Sequence, residues 1–324
     1  MSRRRKLAVA ALALAAALVG FLAGPRPDDA FVPRPLALPA DLDRWLADGE
    51  ARFTDLRPGA ARRILWADPQ RRTRTPVSLV YVHGFSADRH EVSPLCERIA
   101  IALGANLFFT RLEGHGRSDD AMGESTFQGW MQDTLEALAI GHRLGDRVVL
   151  IGTSTGGTLA TLAALRPEGR DLHALVLISP NYGIPQPTAP LLLWPWGEQI
   201  GRLVEGDYHT WVPQNAEQGR HWNTRYPVRA LIPLMQAVRA ARRAELEALQ
   251  TPTLVMYSTG DQVIEPARVE EAFERLGSST RRLVRVDDTG DHNRHVLAGD
   301  ILSPNTTDRL AGLIVNFIRE DAPR

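Results

Sequence analysis

The sequence predicts an α/β fold: a mostly parallel, doubly wound sheet with an inserted cap between the strands near 177 and 254. Three observations predict it. Short β-branched apolar runs alternate with helix-period segments from Ile64 to Ile318. A glycine-framed serine, Gly152-Thr153-Ser154-Thr155-Gly156, stands between one such run and one such helix. The alternation breaks only for about seventy residues between the strands at Leu177 and Leu254, too many for a structureless loop. In sheets of this kind the reactive groups gather at the carboxyl ends of the strands.

The chain begins with a segment that is not part of this fold. Arg3, Arg4, Arg5 and Lys6 precede Leu7 to Gly24, which carry no charge. Residues 1–24 therefore read as a signal peptide or a membrane anchor. The apolar run spans about 27 Å as a helix, close to a bilayer's hydrocarbon thickness. A small-x-small cleavage site is missing: Phe21 stands two before Ala23, Leu22 two before Gly24, and Pro25 follows. This favours an uncleaved inner-membrane anchor, with the arginines in the cytoplasm and the rest of the chain periplasmic or extracytoplasmic. The alternative is a periplasmic or secreted protein released by cleavage. Residues 25–60 form a spacer with Pro25, Pro27, Pro33, Pro35 and Pro39, then a helix capped by Asp41 with Leu42, Trp45, Leu46 and Phe53 on one face.

Residues 61–324 hold the main domain. Ile64 to Ala67 and Val77 to Val82 read as strands, Ser93 to Leu103 as a helix, and Asn106 to Thr110 as a strand. A glycine-rich loop, Arg111 to Ser118, leads to a helix over Thr126 to Leu144. Val148 to Ile151 is a strand, and the helix after Gly157 closes at Pro167. Leu175 to Ile178 and Pro252 to Tyr257 are strands, as is Arg282 to Val286. Glu265 to Leu276 and Thr306 to Ile318 are helical. The cap, about 181–250, holds four of the seven tryptophans, at 194, 196, 211 and 222, and a helix from Pro233 to Leu249. Its aromatic and apolar side chains suit an acyl or alkyl group.

Composition narrows the function. The formal net charge is zero and no basic stripe points to nucleic acid; Arg71, Arg72 and Arg74 form a solvated loop. Cys96 is the only cysteine, so no intrachain disulfide can form, and its helical setting makes it a core residue.

The chemistry starts at Ser154. Small residues two before and two after allow strand and helix to approach, and the helix N-terminus behind the serine favours developing negative charge. A serine nucleophile needs a base and an acid to orient that base, here in the chain order serine, acid, histidine. Asp261, in the loop after the strand ending at Tyr257, is the acid; Glu265 is the reserve. The base lies in the loop after Val286, where His292 and His295 both qualify. His295 is favoured because it starts the segment Val296 to Asp300 that leads to the last helix. The oxyanion hole takes two backbone N–H groups, from Thr155 and from Phe85 after His83-Gly84. His83 reads as a turn-fixing residue.

These pieces resemble the α/β-hydrolase superfamily, and within it the monoglyceride lipase, lysophospholipase and carboxylesterase-like branch. The matching residues are His83-Gly84-Phe85, Arg111 to Ser118 with Gly114-His115-Gly116, Gly152 to Gly157, Gly260-Asp261-Gln262-Val263 and His295-Val296. The resemblance covers about residues 77–318 and makes His115 structural. It implies hydrolysis of a carboxylic ester, such as an acylglycerol or lysophospholipid, through an acyl-enzyme and without metal or cofactor. The partner is then a small-molecule or lipid ester, with the membrane reached through the N-terminal segment. An acyltransferase or C–C hydrolase with the same triad, or a non-catalytic tethered binding protein, are the alternatives. The sequence leaves acyl length, the alcohol and the oligomeric state open.

Overall fold

The computed structural model describes residues 3–321. Residues 1, 2 and 322–324, at the outer ends of the expected leader and main domain, lie outside the described residues. The first helix, α1 (Arg3–Leu22), buries none of its residues and is long and apolar enough to cross a membrane. Residues 24–39 then run without helix or strand, as proline at φ near −65° and without an N–H dictates. They lie along a later helix: the Arg34 amide donates to Gln132 Oε1 at 2.8 Å.

Helix α2 (Leu42–Glu50) starts at Asp41, whose carboxylate accepts the Arg44 N–H at 3.0 Å. It ends before Phe53, which was expected on its apolar face. Gly49 weakens the last turn. Phe53 instead lies beneath the guanidinium groups of Arg111 and Arg117, 4.7 and 4.4 Å from its centroid.

The main sheet follows. Its elements are β1 (Arg63–Leu65), β2 (Thr75–Val82), α3 (Leu95–Leu103), β3 (Asn106–Phe109), α4 (Phe127–Leu144), β4 (Gly145–Thr153), α5 (Thr155–Ala164) and β5 (Leu172–Ile178). The inserted segment carries α6 (Gly197–Glu205), β6 (Tyr208–Thr210), α7 (Ala216–His221), β7 (Arg225–Pro227) and α8 (Leu231–Arg243). The chain closes with β8 (Thr253–Tyr257), α9 (Pro266–Arg275), β9 (Arg281–Arg285) and α10 (Pro304–Asn316). Seven strands pair in the order β1-β3-β2-β4-β5-β8-β9; only β1 runs antiparallel to its neighbour. The sheet is therefore mostly parallel, with helices on both faces.

The alternation of strand side chains builds two cores. Val80, Val82, Leu150, Leu175 and Leu177 join α4, α5 and α8 on one face. Leu79, Tyr81, Val149, Ile151 and Val176 join α3 and α10 on the other, with Cys96 buried among them. Each fully buried aliphatic side chain contributes about 1.5–3 kcal/mol. Two boundaries differ from expectation. β1 stops at Leu65 because Trp66 turns its Nε1 to Asp43 at 3.0 Å and the Ala67 amide donates to Asn106 Oδ1 at 2.9 Å. The helix expected over 233–249 begins at Leu231 and ends at Arg243, where Ala244 turns extended. That turn lets Leu246 and Leu249 reach the core.

Candidate active site

Ser154 stands at the join of β4 and α5 with φ 53° and ψ −119°, a conformation that L residues seldom adopt. Three backbone bonds hold it there. Its N–H donates to Ile178 O at 2.9 Å, and its carbonyl accepts from the amides of Thr158 and Asn181, each at 3.1 Å. The turn admits no side chain at its flanks. A Cβ at Gly156 would sit 2.1 Å from Val82 O, and one at Gly152 2.5 Å from Gly156 O.

The loops after β8 and β9 bring the acid and the base together. Asp261 Oδ2 accepts from His295 Nδ1 at 2.7 Å, while its Oδ1 accepts the amides of Val263 and Ile264 at 2.8 and 3.1 Å. His295 is positioned by its own backbone: its N–H and that of Val296 donate to Asp291 Oδ2, both at 2.9 Å, and its carbonyl accepts from Ser179 Oγ at 2.8 Å. Burial opposes a charge on His295, but the Asp261 carboxylate, with Asp291 and Glu91 nearby, outweighs it and raises its pKa above the ordinary imidazole value. His292 lies exposed in the same loop, its backbone N–H on Gln214 Oε1 at 3.3 Å and its ring without a hydrogen bond among the described residues. Glu265 points to Arg268 at 3.1 Å. Ser154 and His295 line one cavity; among the described residues no hydrogen bond joins Ser154 Oγ to the imidazole. Such bonds are often long before substrate binds.

Phe85 and Thr155 line the same cavity, and among the described residues neither amide is used in a turn or loop hydrogen bond. His83 shapes the turn beneath them. Its Nε2 accepts the Leu112 N–H at 3.0 Å, so Nδ1 carries the proton and donates to Gly84 O at 2.9 Å. Burial pushes its pKa down to about 4, which keeps the ring neutral. His115 is likewise buried, with Nδ1 on Glu113 O at 3.0 Å and its pKa driven well down by burial.

The cavity encloses about 530 Å³. Its far walls come from the inserted segment, including Leu192, Val228, Leu231 and Met235. Of that segment's four tryptophans, Trp211 and Trp222 line the cavity. Trp194 and Trp196 lie outside, more than a third exposed. Trp196 Nε1 donates to Gly20 O at 3.1 Å, and Trp194 meets the Phe21 ring edge-on.

Two residues escaped the reading of the sequence. Glu91 is buried behind the Phe85 turn, where its Oε1 accepts the Gly84 N–H and the Tyr81 hydroxyl, both at 2.6 Å. A Cβ on Gly84 would sit 2.9 Å from this carboxylate and 3.2 Å from Ser154 Cβ, so the carboxylate sits behind the serine. Burial raises its pKa to about 7. Asp291 organises the histidine loop. No motif flags either one: Glu91 stands just before the helix expected from Ser93, and Asp291 in the loop after Val286.

Comparison with known proteins places the chain. The family model described as "Serine aminopeptidase, S33" matches residues 74–296, more than half of the sequence. A thermostable monoacylglycerol lipase of Bacillus sp. (strain H-257) is 26% identical over 244 residues, covering 75% of this chain and 92% of the lipase. Among solved structures, a metagenome-derived lipolytic enzyme from work on LipS and LipT superposes with a TM-score of 0.67 at 21% identity, over 82% of this chain and 99% of that one. The monoacylglycerol lipase of Paleococcus ferrophilus gives 0.59 at 18%, over 79% and 97%. A soluble variant of the monoglyceride lipase of Saccharomyces cerevisiae gives 0.59 at 12%, over 94% and 98%.

Proposed function

The chain belongs to the serine aminopeptidase family of α/β-hydrolases, and on that premise we propose that it is a serine ester hydrolase acting on the monoacyl ester of a small alcohol such as glycerol. The observation that carries the reading is the convergence on one apolar cavity of Ser154, the Asp261–His295 pair and the free amides of Phe85 and Thr155. An aliphatic wall suits an acyl chain better than a peptide.

In this reading Ser154 Oγ attacks the ester carbonyl while His295 Nε2 takes its proton. Asp261 holds the Nδ1–H tautomer and balances the imidazolium. The amides of Phe85 and Thr155 receive the oxyanion, with the N-terminus of α5 behind them. The tetrahedral adduct expels the alcohol, which takes the proton from Nε2. Water then gives a proton to His295 as it attacks the acyl-enzyme carbonyl; the second tetrahedral adduct breaks the bond to Ser154 Oγ, which takes that proton back from His295 as the acid leaves. We read α1 as an anchor that keeps the domain at an extracytoplasmic membrane surface; its exposed apolar length supports this. The segment over about 181–250 acts as the cap that sizes the pocket.

The test is hydrolysis of p-nitrophenyl esters from acetyl to palmitoyl, and of monoacylglycerols, with Ser154→Ala alongside. Activity and fluorophosphonate labelling both lost in the variant are expected. Undiminished turnover by Ser154→Ala would refute the assignment.

A further inference from the structure

Outside the proposed catalytic centre, three side chains with metal-ligating atoms converge where the loop after β2 meets the inserted segment. Asp88 and His90 stand in that loop, just past the Phe85 turn; His221 ends α7. One ligand atom from each lies within 4.8 Å of the other two. The Asp88 side chain is 2% exposed, with one carboxylate oxygen toward each ring: Oδ1 is 2.8 Å from His90 Nδ1, and Oδ2 is 3.0 Å from His221 Nδ1. The two rings lie close and tilted, centroids 4.0 Å apart and 35° between planes.

We propose that Asp88, His90 and His221 form a binding site for a divalent transition metal, zinc in the first instance, that clasps the inserted segment to the loop carrying the Phe85 amide. Two imidazole nitrogens and one carboxylate make a three-residue zinc set with a fourth position for water. Hard cations such as magnesium prefer sites richer in oxygen. A tetrahedral zinc with bonds of about 2.0 Å wants ligand atoms about 3.3 Å apart, so the widest pair closes by at most about 1.5 Å. Side-chain rotation supplies this, since both histidines are partly exposed.

The surroundings fit a cation. His90 and His221 each lend a Nδ1–H to Asp88, and neither Nε2 has a hydrogen bond among the described residues. Moving each proton from Nδ1 to Nε2 frees the ligand nitrogens at the cost of their two hydrogen bonds to Asp88, which the bonds to the metal replace. The backbone N–H of His90 also donates to Asp88 Oδ1 at 2.8 Å, which fixes the carboxylate. The adjacent Arg89 faces elsewhere: its Nε donates to Gly59 O and its guanidinium lies over Phe109. Arg57 reaches the backbone of Trp222 and pairs with Asp119.

The site touches the cavity through its neighbours. Trp222, next to His221, lines the cavity and shares a small apolar cluster with Ala87, next to Asp88. The Asn223 N–H donates to Ser86 O at 2.7 Å. A metal would reinforce this single seam between the turn and the wall.

The test uses the full chain in detergent, stripped with chelator, then titrated with zinc chloride by calorimetry. Metal retained after gel filtration is counted by mass spectrometry. About one zinc per chain is expected, with a raised melting temperature. Asp88→Asn and His221→Gln should each weaken binding by at least about 100-fold, beyond the loss typical of outer-shell changes. His292→Gln, on an exposed loop, should bind as the parent does. Cobalt substituted for zinc should show the visible bands of a tetrahedral site. Failure of the parent chain to retain zinc overturns the proposal, as does unchanged affinity in His221→Gln. A folded Asp88→Asn of lower stability in a parent that binds no metal would mark the cluster as a hydrogen-bonded clasp alone, and also overturns it.

Discussion

Replacing Glu91 by Gln should stabilise the protein at alkaline pH and not at acid pH. The carboxyl is buried, and its pKa rises from 4.5 to about 7, first because burial penalises the charge. Hydrogen bonds from Tyr81 and Gly84 pull the other way without cancelling that cost. Between pH 4.5 and 7 the unfolded chain has released this proton while the folded chain still holds it. Stability therefore falls as pH rises through this window, and the full penalty stands above pH 7. A shift from 4.5 to about 7 corresponds to about 3 kcal/mol. The amide keeps an oxygen for the Gly84 N–H and the Tyr81 hydroxyl, and never ionises. Urea unfolding of parent and variant, at a pH below 4.5 and again above 8, measures the difference. The gap between them should open by about 3 kcal/mol in favour of Glu91→Gln on going alkaline. Asp133, half-buried and also raised to about 7, titrates in both proteins and cancels in the comparison. A gap that does not change with pH would refute the burial argument.

Three other outcomes follow from the geometry. Because the His295 pKa lies above 6.5, the acid limb of kcat/KM should fall above that pH; Asp261→Asn should move the limb down and cut kcat by about four orders of magnitude, read from pH–rate profiles. With stability the sign is the same for His295: the charged partner of Asp261 favours the folded chain below pH 6.5, and that contribution is lost as pH rises through the raised value. Glu50 accepts from Arg62 Nε at 2.5 Å and Arg111 Nε at 2.8 Å, and both Glu50 and Arg111 are buried; Glu50→Ala should destabilise by about 3–5 kcal/mol in urea melts, because it strands the Arg111 charge.

How much of this the chain declares in advance depends on whether the information is local. Ser154 is legible because its strand, turn and helix are contiguous; the steric demand on Gly152 comes from Gly156 within the motif, while that on Gly156 comes from Val82 and His83 in a distant strand end. Asp261 and His295 are legible through order along the chain, each following a strand of the parallel sheet. Position along the chain already favours His295 over His292 in the same loop; what the sequence does not carry is how the ring is held, by the His295 N–H on Asp291, the Ser179 hydroxyl on the His295 carbonyl and Nδ1 on Asp261. Glu91 and Asp88 carry no local mark. Their partners are set by burial and by tertiary approach; His221 reaches Asp88 across 133 positions of sequence.

The inserted segment was the least legible for a related reason. Its strands run three residues and α7 six, too short for a periodic pattern to register. Many of its apolar side chains also face a cavity. Val204 and Val212 line that cavity and are still largely exposed, so neither a buried stripe nor a polar face is written into the sequence. A wall of this kind is constrained by what it must admit as well as by what it must bury. In the proposed function, substrate choice resides in the part of the chain whose pattern is weakest, while Ser154, Asp261 and His295 stand on loops that a regular sheet positions. A change of acyl preference is then to be sought in Leu192, Val228, Leu231 and Met235, with the positions at the strand ends left untouched.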